Sequence, residues 1–211
     1  MQFTADQVWA LAVAADRING GYSKEDQWEE QNGQMVKTKE ANKLMVKRWL
    51  REGSNPATEK DVEEGRRVRT YFNTFIMREL AGKLNDFERQ ALKLAQKTEF
   101  TGRDLYDFAV ISCLPSVARR DQQRQEIKRE IYQSEQLVGT VGQTIVGDFT
   151  VINCWFNQNY CKYRVQGRMG ESFVDFWFGK ELLVGANLPI KGKIKRQRDD
   201  KSTQLNFVKV G

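Results

Sequence analysis

The sequence predicts an α+β protein, a helical domain followed by a five-stranded β-barrel, and three observations carry that prediction. Through roughly the first two-thirds of the 211 residues, apolar side chains recur at helical spacing. From Val138 the texture changes to short β-branched and aromatic runs, punctuated by Gly139, Gly142, Gly147, Gly167, Gly170, Gly179, Gly185 and Gly192. The charge changes at the same place: residues 138–211 hold 11 Lys plus Arg against 6 Asp plus Glu, which is nearly all of the formal net charge of +6. These shifts divide the chain into a helical domain (1–115), a connector helix (116–137) and a barrel domain (138–211).

The helices follow from their caps and faces. Thr4 and Gln7 form a capping-box signature, Val8, Leu11, Ala12 and Ala15 share a face, and Gly20-Gly21 stops a first helix running from Ala5 to Ile18. The polar stretch Tyr22 to Gln34 reads as a loop. A second helix through residues 37–52 turns Ala41, Leu44, Met45 and Trp49 inward and ends at Gly53. A third, expected to be the longest, carries Val68, Phe72, Phe75 and Ile76 and continues through Leu80. Asn85 or Asp86 caps a fourth, with Phe87, Ala91, Leu94 and Ala95 inward, and Thr101 caps a fifth, with Leu105, Phe108, Ala109 and Ser112, before Leu114-Pro115. The connector is helical by propensity and poor in apolar residues, with Ile127 and Ile131 as its anchors. Arg120, Arg124 and Lys128 share one of its faces, and interleaved acids make that a solvated face rather than a nucleic-acid contact.

Five strands follow, at 144–156, 160–169, 172–178, 189–198 and 202–210, with a helical turn or loop at 179–188 between the third and fourth. That is the outline of an OB-like β-barrel, whose second and third strands and their flanking loops commonly form the binding surface for oligonucleotides. Strand alternation puts Cys161, Tyr163, Val165, Gly167 and Met169 on one face, and Tyr160, Lys162, Arg164, Gln166 and Arg168 on the other. If Val174, Phe176 and Phe178 join the core, Phe173, Asp175 and Trp177 lie beside the basic face. Unpaired bases stack on flat rings while cations follow the phosphates, and Tyr160, Lys162, Arg164, Arg168, Phe173 and Trp177 supply both. Two alternatives stand beside this reading. Phe173 and Trp177 pack beneath helices, or a bulge at Gly167 or Gly170 reshuffles the faces.

Residues 189–211 hold seven basic and two acidic residues, a candidate phosphate footprint. Their hairpin, carried by Gly192, Lys193, Ile194, Lys195, Arg198, Asp199, Thr203, Gln204, Leu205, Asn206, Val208 and Lys209, resembles the terminal hairpin of OB-like modules in tailed-phage accessory proteins. There a Gly-x-Val-Lys strand precedes a Thr-Gln-Leu-Asn-Arg-Val-Lys strand. The opening stretch "FTADQVWALAVAADRINGGY" is similar to phage open reading frames. What the resemblance implies is nucleic-acid contact by Lys193, Lys195, Arg198, Phe207 and Lys209. Gln197 stands where a histidine is frequent and Phe207 where an arginine is frequent; the second departure either exchanges a phosphate contact for a stacking ring or removes the contact.

Composition narrows the function classes. The chain has no histidine, no Gly-rich phosphate loop and no G-x-S-x-G or H-E-x-x-H motif, so the expectation is a protein that is not an enzyme. Three cysteines without a Cys-x-x-Cys pair support neither a disulfide framework nor a metal site, and they read as small buried hydrophobes. No cofactor is expected. No apolar run is long enough for a membrane helix, and the N-terminus makes a poor signal peptide, so a cytoplasmic protein is expected. Two functions are compatible: binding of single-stranded DNA or RNA by the barrel, or a protein-interaction module that docks on a phage or host replication or transcription protein, with the aromatics as its anchors.

Overall fold

A computed structural model describes residues 2–211, which divide into two compact units, one extending to Gln122 and the other from Gln123 to Gly211. The division falls within the connector helix.

The first unit is built around α1 (Ala5–Ile18), which begins where Thr4 of β1 (Gln2–Thr4) accepts a hydrogen bond from the Gln7 backbone. Its Val8, Trp9, Leu11, Ala12, Ala14 and Ala15 are all buried, as expected of a helix surrounded by others. The stretch read as a loop is instead a hairpin, β2 (Gln27–Gln31) and β3 (Gln34–Lys39), turned by Asn32 and Gly33 at φ 52° and 78°. Positive φ at both central residues is the tight turn that Asn-Gly favours. The hairpin takes residues 37–39 from the expected second helix, and α2 spans Asn42–Glu52.

The expected third helix is two helices, α3 (Glu59–Asn73) and α4 (Ile76–Leu80). At the break, Thr74 donates its hydroxyl to the Tyr71 carbonyl, and its backbone N–H is shared by the Thr70 and Tyr71 carbonyls. Such local side-chain bonding competes with the helical ladder. The Asn85 and Glu88 capping box starts α5 (Asp86–Gln96), and β4 (Glu99–Thr101) pairs with β1. Asp104, not Thr101, precedes α6 (Leu105–Ile111). The longest helix is α7 (Leu114–Gln133), with Pro115 in its first turn, where a missing N–H costs no hydrogen bond. Leu44, Ile76, Phe87 and Leu105, all expected in the core, are exposed.

The second unit is a closed barrel of β5 (Thr144–Asn157), β6 (Lys162–Met169), β7 (Ser172–Phe178), β8 (Asn187–Gln197) and β9 (Thr203–Val210). The order β5-β6-β7-β9-β8, with only β7 and β9 parallel, is that of an OB-like barrel. Its interior holds Phe149, Val151, Val165, Val174, Phe176, Ile190, Ile194 and Leu205. The second half of α7 bonds to the outward side chains of β5 and β6, Gln123 donating to Asn153 and Arg168 donating to Glu130, and just beyond the helix Glu135 bridges Ser172 of β7. Ile127 and Ile131 are only partly buried there. Among the described residues no helix is long and apolar enough to cross a membrane.

Candidate nucleic-acid interface

Alternation on β6 and β7 holds as the sequence indicates. Val165 and Gly167 face the interior with Val174 and Phe176, and neither Gly167 nor Gly170 carries a bulge. The bulge lies in β5, between Val151 and Asn153. It reverses the facing of the strand end, so that Trp155 comes level with Arg164 and, one strand further, with Trp177.

This row answers why aromatics stand among cations. Asp175 is 1% exposed and forms ion pairs with Arg164 and, at 2.6 Å, with Arg198, while the Arg164 guanidinium sits 4.9 Å from the Trp177 ring centre. A buried ion is tolerated when paired and hydrogen-bonded. The sequence holds the counter-charge in plain view, between Phe173 and Trp177. Burial first, and then the neighbouring Arg198 and Arg196, pull the Arg164 pKa down to about 10, which leaves it cationic at neutral pH.

Three of the expected phosphate contacts are therefore committed elsewhere. Arg164 and Arg198 hold Asp175, with Arg198 also donating to Ser202, and Arg168 is held by Glu130 at 2.6 Å and Glu171 at 3.7 Å. Phe173, 1% exposed, offers no ring face to a ligand. It is the cross-strand partner of Arg168 and follows Ser172, which is bridged to Glu135 in the chain just beyond α7.

What stays open lies at two places. At the β5–β6 turn, Tyr160 is 66% exposed with its ring centre 4.9 Å from that of Trp177, and Trp155, Phe156 and Lys162 are exposed alongside; Trp177 is half-buried. Cys161, read as a core residue, sits exposed in this turn at φ 47°, while Cys113 and Cys154 are partly buried.

The second place is the β8–β9 hairpin. Ile190, Gly192 and Ile194 are buried, so Lys191 and Lys193 point out; Lys195, the extra residue of a register shift between Ile194 and Arg196, is exposed too, and Lys209 stands opposite Lys191. None of these four, nor Lys162 or Arg196, forms an ion pair among the described residues. Between the Lys191–Lys209 and Lys193–Asn206 pairs, two residues of β9, Phe207 and Val208, oppose Gly192 alone. This is a bulge. Gly192 leaves the space that Val208 enters, since a Cβ there would meet Val208 Cγ2 at 3.1 Å, and Phe207, at φ 54°, is left in the bulge between the Lys191–Lys209 and Lys193–Asn206 pairs. Phe207 is 81% exposed. Left-handed backbone costs a non-glycine residue about 1–2 kcal/mol, and exposing a phenylalanine forgoes its burial.

Lys191 and Trp155 escaped the sequence reading for different reasons. Lys191 continues the alternation of Lys193 and Lys195 and was legible. Trp155 depended on the bulge, which period-two counting does not register. Among the described residues, no group of three His, Cys, Asp or Glu side chains is arranged to hold a metal ion. Comparison of the chain with protein-family models, curated proteins and solved structures returned no match.

Proposed function

We propose that the barrel binds single-stranded nucleic acid through the outer face of the β8–β9 hairpin, with the rings at the β5–β6 turn as a second stacking surface. The observation that carries this reading is Phe207. It is a bulky residue held in left-handed backbone and turned into solvent, where folding stability alone favours neither. Around it stand Lys191, Lys193 and Lys209, none of them neutralised by a carboxylate.

A base stacked on an exposed ring contributes roughly 1–3 kcal/mol whatever its identity. The lysines offer point charges to phosphates without geometric demands, so the expected binding is tolerant of sequence and steep in salt. Arg164, Arg168, Arg198 and Phe173 drop out of the interface and become its scaffold. In this reading the protein is non-catalytic, an accessory factor acting on single strands in the cytoplasm, in keeping with the phage-module resemblance of its last hairpin.

The test is fluorescence anisotropy of a labelled oligonucleotide of about 20 nucleotides, single-stranded against duplex, across a range of salt. Saturable single-strand binding whose log–log salt slope implies three or more phosphates, at about 0.7 per contact, is the expected result. Absence of saturable binding at low salt contradicts the proposal.

A further inference from the structure

A groove of about 550 Å³ opens on the surface of the helical unit, and it is independent of the barrel face. Its floor is apolar, made by Phe3, Leu50 and Phe108, and its walls are Leu44 on α2 and Leu105 at the start of α6. The sequence periodicity assigns both leucines to the core, yet Leu44 is 37% and Leu105 52% exposed. Along the rim run Lys47, Arg48 and, one turn further along α2, Arg51, with Glu40 the one acid among the described lining residues. Arg48 is held by Glu40 at 2.8 Å. Lys47 forms no ion pair among the described residues, and Arg51 reaches only its neighbour Glu52, at 3.7 Å.

An apolar trough with a cationic rim matches a peptide segment that carries two large apolar side chains and several carboxylates. The volume suits a few side chains. Nucleic acid fits less well here, because Phe3 and Phe108 are almost fully buried and the exposed walls are aliphatic, so no ring face is offered to a base. We infer that this groove is a docking site for an acidic, apolar-anchored segment of a partner protein, with the leucine walls gripping the anchors and Lys47 and Arg51 steering the carboxylates.

The full chain, immobilised, is panned against a phage-displayed library of random 12-residue peptides. Enriched peptides should be net negative, with paired Leu, Phe, Ile or Trp three or four residues apart. The best of them, synthesised with a fluorescent label, should lose at least tenfold in affinity to Leu44→Glu and to Lys47→Glu, and should bind Phe207→Gly as it binds the parent. Leu44 is exposed and Lys47 half-buried, so circular dichroism checks that each variant is folded; Leu105→Ser gives a second test of the wall without adding charge. Failure to enrich any peptide, enrichment of basic or purely polar peptides, or unchanged affinity in the folded Leu44→Glu and Leu105→Ser variants would overturn the inference.

Discussion

The guanidinium of Arg164 lies 4.9 Å from the ring centre of Trp177, its cross-strand partner, while it is ion-paired with Asp175 two residues earlier on the same strand. Arg198 reaches the same carboxylate from the turn that joins β8 to β9. One buried acid thus ties the middle of β7 to the neighbouring strand and to the closing turn.

Removing Asp175 strands two guanidinium groups, and breaking a buried pair from one side costs about 3–5 kcal/mol. Asp175→Ala should lower the melting temperature of the barrel sharply. Arg164→Ala should lower it less, since Arg198 remains on the carboxylate. In a folded Arg164→Ala protein the salt slope of oligonucleotide binding should match that of the parent, which separates a scaffold residue from a phosphate contact.

Gly167 pairs with Val151 on one side and Val174 on the other. A Cβ there would fall 2.0 Å from the Thr150 carbonyl oxygen and 2.6 Å from the Phe149 ring. Backbone cannot yield to that approach, so Gly167→Ala should destabilise the barrel by 3 kcal/mol or more, at or beyond the upper end of the usual cost of overpacking, roughly 1–3 kcal/mol. Gly179→Ala, whose Cβ meets nothing within 4 Å, should change stability by less than about 0.5 kcal/mol. Chemical denaturation of the two variants makes the comparison.

Asp61 closes the capping box of α3 and receives Arg17 at 2.9 Å. Burial by itself would raise its carboxyl, but the bonds from Arg17 and Thr58 outweigh burial and hold it below the usual carboxylate range. The folded state therefore favours the charged form. Its contribution is fully present above the unfolded value of about 3.9 and is lost as pH falls through the lower folded value. The melting-temperature difference between the parent and Asp61→Asn should be constant from pH 5 to 7 and shrink below about pH 4. A difference that stays flat into acid would contradict the assignment.

The sequence made the fold legible where local signals agree. Thr4 and Gly20 bound α1 to the residue, and the glycine-punctuated runs after Val138 each became a strand. It misled where a local competitor intervened: Thr74 broke the expected long helix, and Asn32-Gly33 made a hairpin in a stretch dismissed as polar loop. The candidate site divided along the same line. Period-two counting placed Lys162 outward and the hairpin resemblance singled out Lys193 and Lys195, but two bulges, at Ile152 and at Phe207, set which rings reach solvent. Counting charges also overstated the free cations, because pairings such as Arg168 with Glu130 join residues far apart in the chain.

Phe207→Gly tests the central claim most directly, because the two roles of the residue predict effects of opposite sign. Glycine removes the left-handed strain, worth about 1–2 kcal/mol, and returns part of it as added freedom in the unfolded chain, about 0.5–1 kcal/mol. The variant should be as stable as the parent or more so. If Phe207 is a stacking platform, single-strand affinity should nevertheless fall by about 1–3 kcal/mol, with the salt slope unchanged because no cation has been lost. Anisotropy titrations of the parent and Phe207→Gly against the same labelled oligonucleotide, paired with their melting curves, give both quantities. Weaker binding by an equally stable protein is the predicted result; unaltered affinity in that protein would contradict the account.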